Sequence, residues 1–185
     1  LIVVLFWTVL AIFGTAPLLL SPNPALSLTD ALFESMSGFT TTGATIISHS
    51  MSPNCIPGVT ADCIHAQPRG LLIWRSLTQW FGGMGIIMLG MMILSRVIGG
   101  GMALARAELT GPSLSRLRPK LKQTAFALWG LYLFLTLLEF ALLYFTGAMD
   151  LFDSVNHALT TMPSGGFSTR DASIGYYDSF LVESI

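Results

Sequence analysis

Apolar residues in this chain come in long uncharged runs broken by short polar clusters, unlike the alternation of a strand or the narrow stripe of a surface helix. Leu1 to Leu20 carries no charge, Leu71 to Leu94 carries Arg75 alone, and Thr124 to Thr146 carries Glu139 alone. Each run meets the ~20-residue requirement for a spanning helix, so the pattern predicts three spans. The first run lacks a basic leader and exceeds the ~7–15 residue core of a signal peptide, so it too reads as a span. Ser21-Pro22-Asn23-Pro24 ends it and returns the chain toward the membrane. Thr29 and Asp30 offer helix-start chemistry, and the helix from Asp30 to Phe39 would be about 15 Å long, half the hydrocarbon thickness. It should stop near mid-membrane.

The segment after that half-helix, Thr40-Thr41-Thr42-Gly43-Ala44-Thr45, has an echo in Pro163-Ser164-Gly165-Gly166-Phe167-Ser168-Thr169. Laying Asp30 on Asp153 lays Gly43 on Gly166, a common offset of 123 residues. Non-helical backbone at mid-membrane depth is tolerated only where protein buries it or water lines it. Hydroxyl-rich, glycine-centred loops at that depth suit a cation filter, in which carbonyl oxygens replace the ion's water without a fixed charge that would trap it. Glycine permits the positive φ and close approach such a loop needs, and the negative end of each short helix points into the pore. A lone loop of this kind reads as a re-entrant turn; duplication in two units running the same way favours a shared path.

Composition agrees: 52% hydrophobic and 10% charged residues, with a mean hydropathy of +0.68, leave too little charge for a soluble surface. Net charge is only −1, yet Arg96, Arg106, Arg116, Arg118, Lys120 and Lys122 crowd between the second and third runs. By the positive-inside tendency that loop is cytoplasmic, so both glycine loops face outward. Cys55 and Cys63 fall in an outer loop, where an oxidising compartment permits a disulfide, the alternative being two independent thiols. No Cys/His spacing argues for structural zinc. Arg75, a few residues from the outer end of its run, reads as a residue that snorkels or braces a pore loop, with ion contact the alternative; Gln79 lies in the same run, and Glu139 is assigned no role. Glu34 and His157 are equivalent under the offset of 123 and read as hydrogen-bonding groups behind the loops, with proton coupling the alternative. Gly82, Gly83, Gly85 and Gly90 are spaced for close helix packing, and Gly99-Gly100-Gly101 reads as the end of the second span.

With Phe33-Glu34-Ser35-Met36-Ser37-Gly38-Phe39, Trp74-Arg75-Ser76-Leu77-Thr78-Gln79-Trp80-Phe81-Gly82-Gly83-Met84-Gly85, Arg106-Ala107-Glu108 and Gly165-Gly166-Phe167-Ser168-Thr169-Arg170-Asp171 in this order, the chain resembles the Trk/Ktr/HKT superfamily of potassium transporters, in particular the TrkH-type membrane subunit. The resemblance implies an all-α polytopic membrane protein of potassium-channel-like helix–pore-loop–helix units, four in the family, around one pore. Residues 1–95 are then a first unit with spans at 1–20 and 71–94 and pore helix and filter at 29–45. Residues 96–123 are a basic cytoplasmic loop, and residues 124–185 an incomplete second unit with a span at 124–146 and pore helix and filter at 150–169. The chain accordingly reads as an internal fragment. Carried over, the filter residues are Thr41, Thr42, Gly43 and Ala44 in the first loop and Ser164, Gly165, Gly166 and Phe167 in the second, with potassium at Thr42, Gly43, Gly165 and Gly166. Glycine at both filter centres points to potassium over sodium.

The function implied is potassium uptake across a bacterial inner membrane with the filters facing the periplasm, and no enzymatic activity or cofactor. A sodium- or proton-coupled symporter of the same superfamily is the alternative. The resemblance also implies membrane lipids around the protein, a homodimer and a cytosolic nucleotide-binding regulatory subunit, with no nucleic-acid partner. A secondary transporter of a small solute would favour inverted repeats, whereas these run in parallel. An intramembrane enzyme would need a metal pair or an activated nucleophile, and His49, His65 and His157 are scattered with no H-E-x-x-H.

Overall fold

The computed structural model describes residues 2–21, 26–47, 55–56, 62–106 and 117–184, and among them every regular element is helical. Helix α1 is Ile2–Leu20, α2 Leu28–Phe39, α3 Arg69–Arg106, α4 Leu117–Phe145, α5 Leu151–Thr161 and α6 Phe180–Ser184, with a 3-10 turn at Ser173–Tyr177 between the last two. Two long–short pairs, α1 with α2 and α4 with α5, lie on either side of α3.

The two short helices begin with the same chemistry. Ser27 caps α2: its hydroxyl accepts from the Asp30 N–H while the Asp30 carboxylate accepts from the Ser27 N–H, a reciprocal capping box. The start therefore lies ahead of Thr29, with Asp30 at the third helical position. In α5 the Asp150 carboxylate accepts from the Asp153 N–H at 2.7 Å. Ser27 and Asp150, like Asp30 and Asp153, keep the offset of 123.

Packing between the long and short helices uses small residues and a few directed hydrogen bonds. A Cβ on Gly14 of α1 would meet Ser35 and Phe39 of α2, and the Ser35 hydroxyl donates to the Ala11 carbonyl at 2.8 Å. Leu18, Leu26, Ala31, Ile47 and Leu71 form an apolar cluster there, flanked by Trp74, whose indole donates to the Gly14 carbonyl. Three of the four glycines predicted to permit close packing do so: Gly82 faces the Phe39 backbone, Gly83 faces Pro163 and the Tyr132 hydroxyl, and Gly85 faces Trp7. Gly90 differs, with nothing within 4 Å of where its Cβ would stand. On the other side Trp80 donates to the Thr136 hydroxyl and Ser76 to Asn156 at 2.7 Å, tying α3 to α4 and α5.

Helix α3 departs from expectation at both ends of its run. It continues through Gly99-Gly100-Gly101 to Arg106 instead of stopping there. Glycine lowers helix propensity by about 1 kcal/mol per residue but adopts helical φ and ψ freely, and extending a helix already formed costs far less than starting one, so three glycines do not by themselves end it. Its outer half is also more polar than a lipid-facing helix, because Arg75, Ser76, Thr78 and Gln79 point inward and are buried. Among the described residues, Gln123–Phe145 is the stretch long and apolar enough to cross a membrane, and Val4–Leu20 is apolar but shorter. Phe13, Phe126, Phe134 and Phe145 stand out from these helices with more than half their surface exposed. Such surfaces need an apolar medium or further protein against them.

Candidate functional site

The chain after each short helix turns back in one shared conformation. In the first loop Thr41 and Gly43 have φ of 56° and 74°; in the second Ser164 and Gly166 have φ of 54° and 86°. These residues correspond under the same offset of 123, so each loop passes twice through the left-handed region, with one residue between. Left-handed φ in a non-glycine residue is uncommon and must be held by surrounding bonds. Matching bonds hold it here. Thr41 N–H donates to the Gly38 carbonyl and Thr42 N–H to that of Ser37, just as Ser164 N–H donates to Thr161 and Gly165 N–H to Thr160.

Those bonds fix where the carbonyls point. In a trans peptide the C=O and N–H are antiparallel. With the Thr42 and Gly165 N–H groups turned back to the helix ends, the carbonyls of Thr41 and Ser164 are directed away from the helices. A carbonyl that is itself an acceptor from behind is turned inward: Ala44 accepts from the Ser37 hydroxyl at 2.6 Å, and Gly165 accepts from the Gln79 side-chain amide at 2.8 Å. Of the four residues expected to hold potassium, Gly165 thus has its carbonyl engaged with α3. The next peptide is held as well, since the Phe167 N–H donates to the Gln79 carbonyl oxygen at 3.2 Å, so the Gly166 carbonyl points away from α3.

The loops meet at their glycines. A Cβ on Gly43 would strike the Gly165 carbonyl and come within 3.1 Å of the Gly166 Cα. Sequence placed Thr41, Thr42, Gly43 and Ala44 in one loop and Ser164, Gly165, Gly166 and Phe167 in another; the fold brings Gly43 against Gly165 and Gly166. Beside the second loop is a cavity of about 280 Å³ bordered by His157, Thr160, Thr161, Ser164 and the Gly165–Phe167 backbone.

Behind the loops the equivalent residues Glu34 and His157 play parallel parts. The Glu34 carboxylate accepts from the Thr45 hydroxyl at 2.8 Å and from the Ile46 N–H at 3.2 Å. His157 holds Ser168, the counterpart of Thr45, at 3.1 Å through Nε2, while its Nδ1 lies 2.9 Å from the Asp153 carbonyl. A carbonyl only accepts, so Nδ1 carries the proton and Nε2 of the neutral ring accepts from Ser168. Arg75 joins the two units: its guanidinium pairs with Glu34 at 2.8 Å, lies 4.1 Å from the centre of the Phe167 ring and donates to the Ser168 carbonyl. Both partners of that ion pair are buried. Glu139 of α4 is half-buried, with the Thr161 hydroxyl at the end of α5 as its hydrogen-bonding neighbour.

An outer tie links the units again. Cys55 and Cys63 form a disulfide, and the Asp171 carboxylate accepts from the N–H groups of Cys63 and Ile64, both at 2.8 Å. Arg170 pairs with Asp153 at 3.0 Å and with Asp62 at 3.7 Å, and the Tyr177 hydroxyl donates to Asp153 at 2.6 Å. Sequence reasoning missed both Asp171 and Gln79 as structural contacts. Asp171 lies 107 and 108 residues from its partners and Gln79 86 and 88 from its own, separations that no local pattern marks; only an uncompensated polar residue inside an apolar run pointed to Gln79.

Comparison with known proteins decides the family. The model of the TrkH family, described as cation transport protein, matches residues 1–185. The chain belongs to the TrkH family. It is 47% identical over 186 residues to the Trk system potassium uptake protein TrkH of Escherichia coli strain K12, covering all of this chain and 35% of that protein. TrkG of the same organism is 36% identical over 187 residues, again with 35% of its length covered. The crystal structure of the potassium transporter TrkH from Vibrio parahaemolyticus superposes with a TM-score of 0.73 at 39% identity, over 98% of this chain and 32% of that one. The chain therefore spans about a third of the length of these TrkH-family relatives.

Proposed function

We propose that this chain is part of a potassium-uptake protein, in which the loops at residues 40–45 and 163–169 are two filter segments of one pore. The observation that carries this reading is the shared backbone of the loops: left-handed residues at matched positions, glycines abutting, and carbonyls directed beyond the ends of two converging short helices. Such carbonyls offer a partly dehydrated cation neutral oxygens in place of its water. Around Gly166 that role falls to the Gly166 carbonyl and in the first loop to that of its counterpart Gly43, with Gly165, and under the shared backbone its counterpart Thr42, serving to position the loops. Relatives named for potassium uptake support potassium as the cargo.

In this reading α1, α3 and α4 cross the membrane and α2 and α5 enter it and return. The basic stretch 96–123 faces the cytoplasm and the disulfide-bearing loop the periplasm, in a bacterial inner membrane. Residues 107–116 of that stretch lie outside the described residues. A homodimer and a nucleotide-binding regulatory subunit on the cytoplasmic side belong to the same proposal. Passive flow and coupling to sodium or protons are both compatible with it; the hydrogen-bonded placement of Glu34 and His157 behind the loops favours a positioning role for each over a proton-carrying one.

The test uses the full-length protein in cells lacking their own potassium uptake, with Gly43→Ser and Gly166→Ser against the parent. Both glycines have φ above +70°, where a side chain is strained, and a Cβ at Gly43 has no room. The expected result is normal insertion with loss of potassium preference over sodium in both variants. Unchanged selectivity in both would reduce the loops to re-entrant turns.

A further inference from the structure

Gln79 is fully buried on α3, in the first unit, yet both ends of its amide are spent on the second unit's loop. Its NH2 donates to the Gly165 carbonyl and its oxygen accepts from the Phe167 N–H, at 2.8 and 3.2 Å. These are the two peptide groups flanking the Gly166 Cα. One clamp thus sets both peptide planes and, through the trans geometry, the direction of the Gly166 carbonyl.

A second observation is independent of the hydrogen bonds. Gly165, unlike Gly166, is not at positive φ, so backbone conformation does not demand glycine there. A Cβ on Gly165 would instead run into the Gln79 amide. The first loop carries Thr42 at the corresponding position, and among the described residues no side chain from another helix bonds to the peptides around Gly43. Gly165 and Gln79 are therefore a matched pair: the missing side chain is the space the amide fills.

We propose that Gln79 is a positioning residue for ion selection, an amide clamp from the first unit that holds the second filter loop in register and fixes the Gly166 carbonyl toward the ion. This rests on the filter reading above and adds a specific determinant to it. A carbonyl free to swing loses the fixed oxygen spacing that separates potassium from the smaller sodium ion, whereas one anchored behind by two hydrogen bonds keeps it.

The experiment compares Gln79→Glu and Gln79→Leu in the full-length protein with the parent and Gly166→Ser, measuring potassium, rubidium and sodium uptake alongside membrane insertion. Gln79→Glu is isosteric; it keeps the acceptor for Phe167 but cannot donate to Gly165 when ionised. Both Gln79 variants are expected to insert and to lose about tenfold in potassium-over-sodium preference, the factor that about 1.4 kcal/mol represents. Gln79→Asn, one methylene shorter, should fail to restore it. If Gly166→Ser changes selectivity and neither Gln79 variant does, the clamp is overturned while the filter reading stands. If Gly166→Ser changes nothing, the filter reading falls first. Should Gln79→Leu fail to insert, Gln79→Glu decides alone; failure of both to insert would assign Gln79 to folding and overturn the proposal.

Discussion

The two glycine loops share one backbone but not one means of support. The first is braced largely by its own unit: the Ser37 hydroxyl holds the Ala44 carbonyl, and Glu34 of the same short helix holds Thr45 and Ile46. The second has His157 of its own helix on Ser168, but its central peptides are held by Gln79 and its flank by Arg75, both on α3 of the other unit. Equal conformations thus arise from unequal surroundings. The backbone is held by matched bonds to the end of each short helix, and the bracing depends on which neighbours the chain order supplies. A consequence is that the second loop depends directly on α3 of the first unit, whereas the first loop meets the second unit where Gly43 abuts Gly165 and Gly166 and, through Glu34, at the Arg75 that reaches Ser168.

That pair offers the strongest way to break the comparison. Arg75→Met would leave the Glu34 carboxylate buried without its cation and strip the second loop of its ring contact and its bond to Ser168. Removing one partner of a buried pair costs about 3–5 kcal/mol, enough to threaten the folded state. The expected outcome is a large fall in thermal stability of the detergent-solubilised protein. Glu34→Gln combined with Arg75→Met should recover much of it, because no bare charge is then buried. A double variant no better than Arg75→Met alone would show that the cost lies in lost packing against Phe167.

How much of this arrangement could be read from the residues follows from the range of each interaction. The long apolar runs, the half-length helices and the offset of 123 are local or self-similar signals, and α1, α2, α4 and α5 lie close to where those signals put them. Glu34 and His157 were assigned to the back of the loops from their equivalence alone, and their bonds to Thr45 and Ser168 agree. The misses have physical reasons. Ser27 outcompetes Thr29 as cap because it stands three residues before Asp30 and completes the reciprocal box. Glycine weakens a helix without forbidding it, and α3 ran on through Gly99-Gly100-Gly101. Positive φ at Thr41 and Ser164 carried no glycine to announce it. The partners of Gln79 lie 86 and 88 residues away, beyond any pattern of spacing.

A smaller effect sharpens the comparison from outside. Asp171 ties the disulfide-bearing loop of the first unit to the segment just beyond the second glycine loop by accepting two backbone N–H groups. Asp171→Ala would leave both donors without that acceptor at a half-buried site, at about 1–3 kcal/mol, less than loss of the buried ion pair. Hydrogen exchange at residues 62–67 should rise, with a lesser rise at 168–171 and none at 40–45. Equal loosening of both loops would mean that the outer tie supports the whole assembly and not the second loop in particular.

The mildest test is protonation at the outer end of α5, outside the spanning helices. Burial works against a charged Asp153, but hydrogen bonds from Tyr177 and Arg170, together with the Arg170 charge, outweigh it and hold the carboxyl below the ordinary carboxylate range. Burial first, then the bond to Asp153, raises Tyr177, and for Arg170 the contacts with Tyr177 and Asp153 outweigh burial and raise it, so both keep their protons throughout the neutral range. A carboxyl depressed by folding contributes stability that is fully present above its unfolded value and is lost as the pH falls through its folded value. Stability should therefore be flat near neutrality and decline only in strongly acidic solution. Asp153→Asn should flatten part of that decline while lowering stability at neutral pH. Among the described residues Asp30, the counterpart of Asp153, has Ser27 as its hydrogen-bond partner and no arginine beside it. An Asp153→Asn protein whose acid limb matches that of the parent would show that the contacts of Asp153 do not set it, and that the second unit is anchored at its outer end by other groups.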